Sequence, residues 1–147
     1  MTSLISLLST SVISMALATT QEPASASIDL TIEGMRSEQG HLLIALYDSA
    51  EGWNTNSELD SLRISAGSGE ATAQFSDLPA GDYAIAVFHD ANDDGRFNMN
   101  DQGIPMELYA FSNNVFPQGR RASFDEAVFE VKEGETNAVS ITLRSIF

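Results

Sequence analysis

The chain has 147 residues, 43% of them hydrophobic, and carries 21 acidic against 7 basic side chains for a formal charge of −14 at pH 7. That length suits one domain, and the charge excludes nucleic acid, whose binding needs clustered Lys and Arg. The absence of cysteine removes disulfides, thiolate metal sites and Cys nucleophiles together.

The N-terminus reads as an export signal. Leu4 to Leu17 is apolar, diluted by Ser and Thr, and too short to span a bilayer. Two small-x-small sites follow it, Ala16-Leu17-Ala18 and Ala24-Ser25-Ala26. The second directly precedes a strand-like run, so residues 1–26 are expected to be the signal, with a periplasmic or secreted domain over 27–147. No Lys or Arg precedes the apolar stretch, a departure from the usual signal pattern. No later segment is expected to span a membrane.

From residue 27 the dominant period is two, the pattern of half-buried strands. Ile28, Leu30 and Ile32 alternate with polar residues up to Gly34, and His41 to Tyr47 is an apolar run suited to a central strand. Asp48 to Leu59 is expected as a loop with a short helical turn from Ser57. Leu62 with Ile64, and Ala71 with Ala73 and Phe75, suggest two further strands. Pro79 and Gly81 set a turn before the strand Tyr83 to Phe88, with Tyr83 placed to tie the corner by bonding nearby backbone.

A long irregular stretch follows, from Asp90 to about Arg121. Ser123-Phe-Asp-Glu126 fits a capping box for one helical turn. Strands at Ala127 to Val131 and Ala138 to Leu143 close the chain, for about seven strands in all. The fold class expected is therefore all-β, a single immunoglobulin-like or prealbumin-like sandwich, with the strand order left open.

One loop carries chemistry. Asp90-Ala-Asn-Asp-Asp-Gly-Arg-Phe-Asn-Met-Asn-Asp101 fits the twelve-residue calcium loop in register. Asp90, Asn92, Asp94 and Asn98 occupy the first, third, fifth and ninth positions. Gly95 makes the sharp turn, Arg96 would lend its carbonyl, and Asp101 ends the loop. Short Asp and Asn side chains on a tight loop can converge the six to eight oxygens that calcium takes at about 2.3–2.6 Å. A strand precedes the loop, and Gly103 with Pro105 forbids a long helix after it, so no EF-hand is expected. Calcium is the cofactor these residues point to.

His41 and His89 read as structural histidines, since two scattered imidazoles fall short of a transition-metal site. No nucleophile elbow is present, and Asp93 and Glu107 form a carboxylate pair only if the fold fixes their spacing. In Leu108 to Gly119, Phe111 and Phe116 are expected to cover the core while Asn113 and Asn114 tie backbone groups. The alternative is a ligand surface with Tyr109 or Trp53 as a stacking platform.

The run Leu78-Pro-Ala-Gly-Asp-Tyr-Ala-Ile-Ala-Val-Phe-His-Asp90, then Gly103-Ile-Pro105, Phe111-Ser-Asn-Asn114, Phe124 to Val131 and Ile141-Thr-Leu143, resembles the bacterial family DUF2141. The resemblance implies exported bacterial proteins with a β-sandwich and no established activity. The functional expectation is thus an exported binding module with a calcium loop and a protein or glycan ligand. Two alternatives stand beside it: a metal-free structural or interaction module, and a hydrolase needing His89 and a carboxylate as general base.

Overall fold

The alternation of apolar and polar residues sorts the chain into two sheets. A computed structural model describes Glu22 and residues 24–146, so most of the expected signal lies outside the described residues. The first sheet has the order β4-β1-β8, from β1 (Ala26–Glu33), β4 (Glu70–Leu78) and β8 (Thr136–Thr142). β1 is antiparallel to β4 and parallel to β8. The second runs β3-β2-β5-β6, from β2 (His41–Tyr47), β3 (Asp60–Ser65), β5 (Gly81–Asp90) and β6 (Tyr109–Phe111). β7 (Phe129–Val131) pairs with the start of β5. This is the all-β sandwich, with eight strands among the described residues.

Every second residue of these strands enters the space between the sheets. Ile28, Leu30 and Ile32 from β1 meet Leu42, Ile44 and Leu46 from β2 and Tyr83, Ile85 and Val87 from β5. The Tyr83 hydroxyl donates to the Pro79 carbonyl at 2.8 Å, which makes the expected corner. β6 and β7 share one edge of β5 and leave a gap between them. Ser112 fills it, its hydroxyl accepting from Ile85 N at 2.9 Å and donating to the Ala127 carbonyl.

Part of the other face of the five-stranded sheet is covered too. Tyr47, Ala84, Tyr109 and Phe111 form a second buried cluster with Trp53, Ala122 and Ala127. Trp53 sits on α1 (Ala50–Thr55), a helix that begins where Ser49 Oγ accepts from Gly52 N and ends at Asn56 in the left-handed region. The helix lies earlier than the turn expected from Ser57. Ser49 supplies the start signal for it, and Asn56 the stop.

The Ser123 signal holds as read: α2 (Phe124–Ala127) starts there, and Ser123 N donates to Glu126 Oε2 at 2.8 Å. Arg120, bonded to both Glu126 oxygens, with the Ser123 backbone and hydroxyl behind it, holds that carboxyl down to about 2.

Asn113 and Asn114 both adopt positive φ and tie backbone, as expected. Asn113 donates to the Glu126 and Val128 carbonyls, while Asn114 donates to the Ser140 carbonyl and accepts from Thr142 N. Phe111 and Phe116 differ from expectation in covering the outer face of the sheet and not the inter-sheet core.

Candidate metal centre

The acidic loop leaves the end of β5, and its first residue is fully buried. Asp90 is 0% exposed, with Oδ1 accepting from Asp94 N at 3.1 Å and Oδ2 from Gly95 N at 2.7 Å. Gly95 adopts φ +74°, so the chain can turn there at no steric cost. Gly40 packs so closely on the Asp90 carbonyl that a Cβ would lie 1.9 Å from that oxygen.

Asp94 sits at the centre of the loop's hydrogen bonds. Its Oδ1 accepts from Arg96 N at 2.9 Å, and its Oδ2 accepts from the amides of Asn98 at 3.0 Å and Asn92 at 3.3 Å. These bonds, the Asn98 amide first, hold its carboxyl below the usual range. Asn92 Nδ2 also donates to Asn98 Oδ1 at 3.1 Å.

The third carboxylate is Glu107, which the loop pattern did not select. Asp90, Asp94 and Glu107 bring one oxygen each within 4.8 Å of one another. Oxygens on a sphere of calcium–oxygen radius are at most about 4.6–5.2 Å apart, twice the bond length. Glu107 Oε2 accepts from Asn98 N at 3.0 Å, whereas Oε1 is buried with no hydrogen-bond partner. Burial first, and then the charges of Asp90 and Asp94, push the Glu107 carboxyl above its usual range.

Asp101 is not among the three. It lies exposed in a turn closed by Asn100, whose Oδ1 accepts from Gln102 N and Ile104 N. In a helix-loop-helix site the exiting helix returns position twelve to the ion. Here the chain reverses instead, with Met99 bridged to Pro105 and Met106 N bonded to the Asn98 carbonyl. That hairpin returns Glu107 to the loop and leaves Asp101 at its tip. Asp93 also leaves the cluster. It adopts φ +61° and bonds His41 Nδ1 at 2.7 Å and Arg63, which together hold its carboxyl low, His41 contributing most. Asp93 and Glu107 therefore form no carboxylate pair.

His89 is 3% exposed, and its Nε2 lies 2.7 Å from the Gln39 carbonyl. A carbonyl only accepts, so Nε2 carries the proton and is not a base. Trp53 is 1% exposed, its Nε1 donates to the Ala122 carbonyl at 2.8 Å and Arg121 covers its ring, so it offers a ligand no stacking platform.

What fold and loop define is a sandwich carrying an acidic hairpin at one end of its five-stranded sheet. The family model described as an uncharacterized protein conserved in bacteria, DUF2141, matches residues 30–139, and the chain belongs to that family. Neither among curated proteins nor among solved structures does the chain find a significant match.

Proposed function

We propose that this chain is an exported binding module whose Asp90–Glu107 hairpin takes up a calcium ion. The observation that carries the reading is Glu107 Oε1, a carboxylate oxygen buried without a partner beside Asp90 and Asp94. Three negative charges so close repel one another, and a buried acceptor left unpaired costs free energy. A hard cation relieves both. Asp90, Asp94 and Glu107 would bind through their carboxylates and Arg96 through its carbonyl. Asn92 and Asn98 now turn amide N–H groups toward Asp94. Rotation of those amides would present their oxygens instead, completing an all-oxygen set suited to calcium.

The test is calorimetry with thermal melts in calcium and in magnesium. Calcium is expected to bind with heat and to raise the melting temperature, with magnesium weaker because it demands octahedral geometry and keeps its waters. Equal responses to the two ions would return the chain to a metal-free structural module. No heat and an unchanged melt would refute the calcium site.

Export supplies the calcium, since the expected compartment lies outside the cytosol. Among the described residues, no helix is long and apolar enough to cross a membrane. Ala26 opens β1 and is buried, Ala24 N donates to Glu133 Oε1, and Gly134 N donates to the Ala24 carbonyl. Cleavage after Ala26 would strip these contacts, whereas the Ala16-Leu17-Ala18 site leaves them in place. Intact mass of the native protein should show Ser27 as the first residue if the signal ends at Ala26, and Thr19 if it ends at Ala18. A full-length cytoplasmic product would contradict export.

A further inference from the structure

The described residues cover the outer face of the five-stranded sheet only in part, and what they leave is a groove of about 1090 Å3. Its floor follows from side-chain size. Ser61, Ala45, Ala86 and Phe111 lie side by side across the sheet, and the three small residues leave a depression. The next row, Leu43, Phe88 and Tyr109, stands taller, and Phe97 from the acidic hairpin packs on Phe88 with ring centroids 5.3 Å apart. An apolar depression of this size lies at the upper end of the range of small-molecule sites.

Three of the chain's seven basic side chains line this groove: Arg63, Arg120 and Arg121, against one carboxylate, Glu58. Arg63 is paired with Asp93, and Arg120 with Glu126. Arg121 forms no ion pair among the described residues. Its guanidinium is held 4.3 Å over the Trp53 ring and 5.7 Å over the Tyr47 ring, with a bond to the neutral Asn56 side chain. Aromatic faces fix a cation without neutralising it, so one oriented positive charge stands at the edge of an apolar trough.

We propose that this groove binds an amphipathic organic monoanion, its apolar body on the Ala45–Ala86 floor and its carboxylate or sulfonate on Arg121. A second copy of the chain suits the groove less well, because it sets −14 against −14, whereas a monoanion brings a single charge and places it on the Arg121 guanidinium. Phe97, Met99 and Ile104 of the acidic hairpin wall this groove, so binding is measured in EDTA and again in calcium, and a saturable site in either condition supports the groove independently of the ion.

Anilinonaphthalene sulfonate, an aromatic anion that brightens in apolar sites, is titrated into the full chain and displaced with dodecanoate or dodecanol. One saturable site is expected, with dodecanoate competing about tenfold better than dodecanol through its charge-assisted bond. Ser61→Phe fills the floor from an exposed position on an edge strand, and should abolish probe binding while leaving the melt unchanged. Arg121→Gln should remove the preference for dodecanoate and leave dodecanol competing as before. Binding that does not saturate, or that survives Ser61→Phe, would overturn the proposal. So would a dimer in sedimentation that Ser61→Phe dissolves, since the groove would then seat a second copy.

Discussion

Trp53→Ala should lower the melting temperature by roughly 10–20 °C. Trp53 packs on Tyr47, Phe111 and Phe124 with ring centroids at 5.1, 5.6 and 6.3 Å, and it is the largest fully buried side chain. Truncating such a residue costs about 3–5 kcal/mol, because the surrounding rings cannot collapse into the space left behind. The Ala122 carbonyl also loses its Nε1–H donor. For a domain of this size each kcal/mol moves the midpoint by about 3–5 °C. Trp53→Phe keeps the ring stack and loses the hydrogen bond, so its melt should fall between the two. A Trp53→Ala melt within a few degrees of the parent would show that α1 and the outer aromatic cluster contribute little to the cooperative unit.

Glu107→Gln should act in opposite directions with and without calcium. In EDTA it removes one of three crowded negative charges and keeps the side chain's shape, so the melt should stay level or rise. In calcium it removes a ligand charge, so the calcium-induced rise should shrink or vanish. At a calcium concentration a hundredfold above Kd that rise is worth about 2.7 kcal/mol, or about 8–13 °C in a domain of this size. A residue serving only to pack the hairpin would lose the same stability under both conditions. Equal decrements in EDTA and calcium would therefore remove Glu107 from the ion site.

The parts of this fold legible in the sequence are those set by near neighbours. Period two marked the long strands, the Pro79–Gly81 turn marked the Tyr83 corner, and Ser123 with Glu126 marked α2. Asn113 and Asn114 were readable because their short amides suit positive φ and capture nearby backbone groups. β6 was not, since three residues carry too little pattern to separate a strand from a loop. Strand order was not legible either, because it depends on pairings such as the parallel Leu30–Val139 contact, far apart in the chain.

The acidic loop divides along the same line. Asp90, Asn92, Asp94, Gly95 and Asn98 lie within nine residues, and local turn chemistry draws them together. The return of Glu107 depends on a hairpin whose only sequence signals are Gly103 and Pro105. A register borrowed from helix-flanked loops then selects Asp101, because it assumes an exit geometry this chain lacks. The groove was hidden for another reason. Ala45 and Ala86 look like ordinary strand residues until the register sets them beside Ser61.

The calcium proposal requires that Asp90, Asp94 and Glu107 hold one cation together. A crystal structure grown in calcium, with anomalous data, tests it most directly. One anomalous peak is expected between the three carboxylates, with oxygens at about 2.3–2.6 Å that include Glu107 Oε1 and exclude Asp101. An ordered hairpin with no peak there, or a peak ligated by Asp101 with Glu107 turned away, would contradict it.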